Sequence, residues 1–160
     1  SSLDGVPEEA RPEVEPFKGQ MLALQLPVDF VRRSTWLPGA YVVPRDDGRL
    51  LIGATVERAK ADARVTSEGL HRLLHAALEA APALGSFAVT ETWAGVRPGS
   101  ADGLPFIGPT PIDGLFVSTG HFRNGILLCV VSARLVADAV SGTVDPQLAA
   151  FSLHRRMIAS

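Results

Sequence analysis

The alternation of apolar and polar residues predicts several β-strands in this chain. The best signal is AYVVPRDDGRLLIGATV at 40–56, where two apolar runs flank the turn sequence Asp46-Asp47-Gly48. Such a pattern is typical of a β-hairpin, because glycine tolerates the positive φ that a tight turn needs. Apolar residues at 20–26 predict an earlier strand, and alternation over 87–99 predicts a later one.

Apolar residues at helical spacing predict a first helix in VTSEGLHRLLHAALEAAPAL. The residues that share its apolar face are Leu70, Leu73, Leu74, Ala77 and Leu78. Thr66 or Ser67 is suited to cap its start, and Pro82 follows its end. We therefore expect this helix to pack on the sheet with its leucine face.

The last third of the chain has a different pattern. LFVSTG at 115–120 predicts a short buried strand, and the apolar run at 124–141 predicts a helix that Gly142 ends. Residues 100–114 are interpreted as a loop, and a short helix is expected near 146–156. Because the 124–141 helix is apolar all round, we expect it to be buried in the complete protein.

The order of these elements predicts an α+β fold, with an antiparallel sheet and one packed helix. The closing strand, glycine turn and helix are instead typical of a layered α/β domain. We therefore divide the chain into a proline-bearing linker at 1–16, an antiparallel domain at 17–110 and, at 111–160, the last portion of a second domain.

Composition excludes several classes of protein. The 160 residues are 46% hydrophobic and 20% charged, as in an ordinary globular protein, and the net charge of −2 gives no reason to expect a nucleic acid partner. No apolar run reaches the roughly 18 residues that a membrane span needs. The single Cys129 excludes an internal disulfide and is interpreted as a packing residue, so we expect a cytoplasmic location.

Two candidate sites are weak. His71 and His75 are four residues apart, as in some metal sites, but they lie off the leucine face and are interpreted as solvated, so no metal is predicted. No two glycines are separated by a single residue. The G-x-G-x-x-G signature of dinucleotide binding and the phosphate loop are therefore both missing from these residues.

Arg123 at the start of the last helix is harder to explain, because a helix start is its positive end and disfavours a cation by about 0.3–1 kcal/mol. Arg123 and the backbone N–H groups of Asn124, Gly125 and Ile126 would converge on one spot and bind an anion. With Arg97, they favour a small carboxylate beside an electron-accepting ring.

Nearby residues leave alternatives open. Arg97, taken alone, is more simply interpreted as a surface residue at a strand end. Tyr41, the only tyrosine, could supply a hydroxyl donor or could simply be a half-buried strand aromatic. Glycines at 120 and 125 would let a flat ligand approach the backbone closely.

Two motifs, W-A-G-x-R-P in ETWAGVRPGS and G-H-F-R-N-G-I in STGHFRNGILL, give the chain a specific resemblance. From about Val14 to Arg156 it resembles the C-terminal part of the flavin-dependent D-amino-acid oxidase family, and within it the glycine oxidases of thiamine biosynthesis. GAYVVPRDDGRLLIGATV is similar to the central hairpin of those enzymes. The resemblance implies a substrate-binding domain at 17–110 and part of an FAD-binding domain at 111–160.

The resemblance also implies roles for single residues. Arg97 would bind the substrate carboxylate, and Arg123 and Tyr41 would be further substrate contacts. Backbone groups along the G-H-F-R-N-G-I motif would line the flavin ring. The residues of that cofactor-binding stretch are His121, Phe122, Arg123, Asn124, Gly125, Ile126 and Leu127.

The chemistry implied is oxidation of glycine or a related small amino acid to the imine, with FAD reoxidised by oxygen to give hydrogen peroxide. No protein acid or base is implied, so none is assigned. Ala40 and Val56 stand where relatives often have larger side chains, which leaves glycine, sarcosine and small D-amino acids open.

The family begins with a dinucleotide-binding segment that these residues do not contain. That segment, in the same or a companion chain, is therefore an expected partner, and a homo-oligomer is left open. Without it we expect one face of the last helix to be bare, and the fragment to be inactive. The alternative is a stand-alone, non-catalytic domain of the same fold that binds a partner or a small carboxylate.

Overall fold

The computed structural model of the chain describes residues 5–58, 62–143 and 145–155. Two compact units are present. Residues 17–96 form the first, the sheet unit, and the described residues of 1–16 and 97–160 form the second, the terminal unit.

The sheet unit is built around a six-stranded sheet. Its strands are β1 (Glu15–Gln25), β2 (Thr35–Leu37), β3 (Ala40–Pro44), β4 (Arg49–Gly53), β5 (Glu57–Arg58) and β6 (Val89–Gly99). The order is β2-β3-β4-β1-β5, with β6 also paired to β1, and β1 and β6 each continue into the terminal unit. The pairs β1–β4, β1–β5, β2–β3 and β3–β4 are antiparallel, which confirms the predicted fold class.

The predicted hairpin is confirmed as β3 and β4, with Pro44 opposite Leu50. Gly48 has a φ of +83° in the turn, as expected of a tight connection. The Asp47 carboxylate accepts hydrogen bonds from the backbone N–H of Arg49 and from its side chain, which lowers the pKa of Asp47. Turn chemistry and strand pattern therefore agree at this hairpin.

Helix α1 (Ser67–Ala80) packs on the sheet and forms the core of this unit with it. Thr66 is the cap, since its hydroxyl accepts a hydrogen bond from the N–H of Gly69 at 3.2 Å. The fully buried Gln20 of β1 fixes this start, because its side-chain oxygen accepts from the N–H of Thr66 at 2.7 Å. The buried members of the core are Leu22, Leu24, Leu26, Ala40, Val42, Leu50, Ile52, Leu73, Ala77 and Leu84.

The terminal unit holds a second, two-stranded antiparallel sheet. It consists of β7 (Phe106–Pro109) and β8 (Phe116–Thr119). The prediction that 100–114 is entirely a loop is therefore wrong. Its prolines and glycines conceal a short apolar run, in which Phe106 and Ile107 are buried.

Helix α2 (Gly125–Val140) follows β8 and ends before Gly142, whose φ of +85° confirms the predicted glycine stop. The short helix expected near 146–156 is a 3₁₀ helix, Pro146–Phe151. Two more 3₁₀ helices are Glu8–Ala10, before β1, and Pro82–Ser86, after α1.

Only a few positions of α2 are buried among the described residues, although the helix is apolar. Ile126, Leu127 and Val130 are 92%, 81% and 78% exposed, respectively. Leu135, Val136 and Ala139 pack instead against β7, β8 and the last 3₁₀ helix. The structure therefore shows the bare face that the sequence predicts for the chain by itself. In the described residues no helix combines the length and apolarity needed to cross a bilayer.

A buried ion pair closes the terminal unit. Arg155 donates to both carboxylate oxygens of Asp102, at 2.7 and 2.9 Å, and the two side chains are only 5% and 6% exposed. Its guanidinium lies 3.9 Å from the centre of the Phe106 ring and also donates to the carbonyl of Pro105. Arg155 therefore ties the end of the described chain to the loop before β7.

We expect Arg155→Ala to lower the opening free energy of the terminal unit by about 3–5 kcal/mol, because the Asp102 carboxylate would stay buried without its partner. Amide hydrogen exchange of β7 and β8 measures this. The matched control is Arg64→Ala, since Arg64 is 86% exposed and pairs with Asp62 at the surface. That change is expected to cost less than about 1 kcal/mol. Equal protection of β7 in both variants would contradict the role of Arg155.

The same pair predicts a pH dependence. The hydrogen bonds from Arg155 hold the pKa of Asp102 well below its ordinary range. A carboxyl whose pKa is lower in the folded state stabilises it above the unfolded pKa of about 3.9, and that contribution is lost as the pH falls. We therefore expect the stability gap between the wild type and Arg155→Ala to narrow below about pH 4. A gap of constant size in urea unfolding from pH 7 to pH 2.5 would contradict this.

Candidate functional site

The turn between β8 and α2 has an unusual backbone. Gly120 has a φ of +79° and Phe122 a φ of +50°. Left-handed backbone is rare for a bulky residue and costs about 1–3 kcal/mol, so the surrounding contacts must hold Phe122 there. Phe122–Asn124 then form one turn of 3₁₀ helix, which leads directly into α2.

The start of α2 carries no compensating negative charge. Asn124 makes no side-chain capping hydrogen bond, and the first turn contains no acidic residue. The first N–H groups of an α-helix have no partner within the helix, and the helix start is its positive end, so the start of α2 is suited to an anion. The N–H of Asn124 donates instead to the carbonyl of His121 at 2.9 Å. The prediction that the Asn124 N–H shares in anion binding is therefore wrong.

Arg123 adds a full positive charge to this helix end. Its side chain is exposed, and its guanidinium carbon lies 5.6 Å from the centre of the Phe122 ring. Within the described part of the chain, no carboxylate pairs with Arg123. The positive charge of Arg123, which is unfavourable at a helix start, is thus available to a ligand.

Arg97 lies near the end of β6 and is partly buried. Its Nη1 atom is buried without a hydrogen-bond partner among the described residues. A buried donor left unpaired costs about 1–3 kcal/mol, and a charged one costs more. A surface arginine would not carry this cost, and a ligand could remove it, so ligand binding by Arg97 stays a prediction.

The structure brings the two arginines onto adjacent segments. Gly99, two residues after Arg97, pairs with His121 in an antiparallel bridge, and His121 lies two residues before Arg123. All four residues belong to the terminal unit. The end of β6 and the turn before α2 therefore lie side by side, although 20 residues separate them in the chain.

His121 also contacts the helix that follows it. Its Nε2 lies 2.9 Å from the Oγ of Ser132, a buried residue of α2. Burial lowers the pKa of His121, which favours the neutral ring at pH 7. Sequence reasoning missed Ser132. The available signal was a hydroxyl residue in an otherwise apolar helical run.

Tyr41 belongs to the sheet unit, where it stands in a row of residues across four strands. Trp36 and Gly53 are its neighbours on β2 and β4, and Met21 of β1 is opposite Gly53. The Trp36 and Tyr41 rings lie 5.2 Å apart, and the Tyr41 hydroxyl is 3.9 Å from the sulfur of Met21. A side chain at position 53 would collide with Met21, so the glycine leaves room for the phenol. The register of the hairpin could have predicted Gly53 as a neighbour of Tyr41. It could not have predicted that Met21 and Trp36 are also its neighbours.

The weaker sequence candidates lie elsewhere. His71 and His75 are exposed on α1 with their rings 6.0 Å apart. Cys129 is exposed on α2, so its interpretation as a buried packing residue is wrong for the chain by itself. The described residues hold no cluster of three metal-ligating side chains.

The arrangement at the start of α2 suits the ring end of a flavin. Two cations, the positive start of a helix and an apolar surface at Ile126 and Leu127 match a flat ring that becomes negative on reduction. A side chain at Gly125 would meet only the Cβ of His121, at an ordinary 3.7 Å, so the fold itself does not demand glycine there. Close approach of a ligand gives a reason for it.

Comparison with known proteins agrees with this geometry. The sequence model of the DAO family, described as FAD dependent oxidoreductase, matches residues 2–139. Glycine oxidase of Pseudomonas aeruginosa is 44% identical over 137 residues, which are 83% of this chain and 38% of that protein. The bifunctional protein ThiO/ThiG of a Synechocystis strain is 42% identical over 148 residues, which are 89% of this chain and 23% of that protein.

A solved structure extends the match to the fold. The crystal structure of glycine oxidase from Geobacillus kaustophilus superimposes with a TM-score of 0.86 at 39% identity, covering 93% of this chain and 41% of that one. The chain thus spans about two fifths of the length of the glycine oxidases that it matches. With the matching family model, this shows that the chain belongs to the DAO family of FAD dependent oxidoreductases.

Proposed function

We propose that these residues form the substrate-binding and flavin-facing part of an oxidase that converts glycine, or a related small amino acid, to the imine. Its products are the imine, which water hydrolyses, and hydrogen peroxide. The functional division proposed from the sequence is kept, with substrate binding at 17–110 and cofactor binding at 111–160. Similarity to glycine oxidases and to a ThiO/ThiG protein supports an oxidase, and supports a place in thiamine biosynthesis.

The observation that carries the proposal is the Nη1 of Arg97, which is buried without a partner in the described part of the chain and stands beside the turn that presents Arg123. A guanidinium with a free, desolvated donor is suited to a carboxylate, which it can bind through two parallel hydrogen bonds. We assign the substrate carboxylate to Arg97 and a second contact to Arg123. Tyr41 is proposed as a further donor to the substrate, on the strength of the resemblance alone.

FAD is proposed to be held at its ring end by the stretch from His121 to Leu127. When bound, FAD supplies the two-electron oxidation of the amino acid, with dioxygen as the final acceptor. The protein residues would bind and orient this group: the positive start of α2 at Gly125 and Ile126 and the charge of Arg123 would stabilise negative charge on the ring. No side chain of this stretch is assigned to proton transfer.

A further segment is proposed to complete the site. The exposed apolar face of α2, with Ile126, Leu127 and Val130, suits a covering layer better than water. We propose that a dinucleotide-binding segment, in the same or a companion chain, covers this face. Together with these residues it makes what we call the assembled oxidase. A cytoplasmic location and self-association of the oxidase are further expectations that rest on the sequence.

The alternative, a non-catalytic domain that binds a partner or a small carboxylate, is less well supported. Such a domain has no need of a helix start that is apolar, cationic and free of acidic residues at the same time. Similarity over 83% of the chain to a glycine oxidase also favours the oxidase.

In the assembled oxidase, Arg97→Ala is expected to weaken substrate capture by about 2–5 kcal/mol, because one partner of a buried charge pair is removed. This corresponds to a fall in kcat/KM of roughly 30-fold to several thousandfold. The absorption spectrum of bound FAD should stay unchanged. Steady-state peroxide production from glycine measures the effect.

A matched control for this experiment is Arg72→Ala. Arg72 is exposed on α1 and pairs with Glu68 of the same helix. It is expected to leave kcat/KM unchanged. If Arg97→Ala behaves like this control, Arg97 does not bind the substrate carboxylate.

Gly125→Ala tests the flavin contact separately. In this chain the added methyl group meets nothing closer than 3.7 Å, so the fold should be unaffected. The dissociation constant of FAD from the assembled oxidase should rise by roughly tenfold or more, because the methyl group would overpack against the ring. Gly85→Ala, also free of close contacts but in the sheet unit, is the control for a glycine-to-alanine change. Equal FAD affinity of both variants, in a fluorescence titration, would rule out close approach at Gly125.

A further inference from the structure

His121 is the residue at which three parts of the terminal unit meet. Its backbone pairs with Gly99, its carbonyl accepts the N–H of Asn124 at 2.9 Å, and its ring reaches Ser132 at 2.9 Å. The first two contacts use the backbone and are open to any residue. The third needs a ring nitrogen and a hydroxyl at these two positions.

The position of His121 in the turn gives this third contact its importance. His121 stands between Gly120 and Phe122, the two residues with left-handed backbone. A bulky residue keeps such a conformation only where its surroundings hold it. Within α2, Ser132 lies two turns beyond the helix start and is one of its few buried residues, so it offers the ring a hydrogen-bond partner outside the turn.

Burial strengthens the case for a specific hydrogen bond. Ser132 is only 5% exposed, although serine is usually found at the surface. A buried hydroxyl is costly unless it is hydrogen-bonded, and the imidazole of His121 is the partner from outside the helix. A neutral imidazole also adds no third cation between Arg97 and Arg123.

We propose that His121 and Ser132 are positioning residues for the oxidase. Their side-chain hydrogen bond holds the left-handed turn, and thereby fixes Arg123 and the first N–H groups of α2 relative to Arg97. Neither side chain is assigned a contact with substrate or FAD. This inference rests on the proposed function, because the groups it positions are those assigned to the carboxylate and the flavin ring.

The first test uses the 160-residue chain without FAD. Ser132→Ala is expected to speed hydrogen exchange of the Asn124 amide by about tenfold, the factor that an ordinary hydrogen bond contributes. Exchange of the β7 amides should be unchanged, and Ser132→Thr, which keeps the hydroxyl, should restore the wild-type rate at Asn124. His121→Phe should match Ser132→Ala, and the double variant should be no faster than either single one, because all three lose the same bond.

Two results of this test would overturn the proposal. One is an unchanged exchange rate at Asn124 in Ser132→Ala. The other is an equal acceleration in β7, which would show that Ser132 only supports the packing of the whole unit.

The second test separates positioning from the proposed function itself. In the assembled oxidase, Ser132→Ala should raise KM for glycine and the Kd for FAD by several-fold, and Ser132→Thr should restore both. Wild-type values in Ser132→Ala would overturn the positioning role. If the unsubstituted assembled protein fails to bind FAD, the proposed function fails instead, while the exchange experiment still decides whether the hydrogen bond holds the turn.

Discussion

The pairing of Gly99 with His121 is the interaction on which the candidate site depends. Without it, Arg97 would end a strand of one segment and Arg123 would start a helix of another. With it, a buried guanidinium donor and an exposed cation, neither of which has a polar partner among the described residues, lie on neighbouring backbones. Between β8 and α2 the backbone takes left-handed conformations at Gly120 and Phe122, on either side of His121.

The exposed apolar face of α2 adjoins the candidate site. A helix with Ile126 and Leu127 almost fully exposed is poorly suited to water, yet the helix still packs through Val136 and Ala139 against β7 and β8. The buried side packs within the terminal unit, while the exposed side and the cationic helix start together offer an apolar surface with a positive edge. A ring that is apolar on its faces and anionic on reduction matches both properties.

Local sequence rules predicted the elements whose signals are local. The hairpin around Gly48, the Thr66 cap and the stop at Gly142 all follow from turn, cap and periodicity rules. Strand β7 was missed, because its pairing with β8 overrides the local effect of its prolines and glycines. The sequence did not predict β2 and β5, because strands of two or three residues are too short to show a periodic pattern.

The candidate site was only partly predictable. Arg123 was found because its charge conflicts with the helix dipole, and that conflict is local. The bridge between Gly99 and His121, and the contact of His121 with Ser132, join residues far apart in the chain, which no spacing rule reveals. Whether the Asn124 N–H was available depended likewise on where the His121 carbonyl points.

The most direct test of the account is the visible absorption spectrum after dialysis against excess FAD. It is recorded for the 160-residue chain and for the same chain joined behind the N-terminal segment of the Geobacillus kaustophilus glycine oxidase. Because these residues contain no glycine-rich turn for the pyrophosphate, we expect the chain alone to be colourless and the joined protein to be a yellow one-to-one complex. A stable yellow complex of the chain alone, or a folded joined protein that stays colourless, would contradict the account.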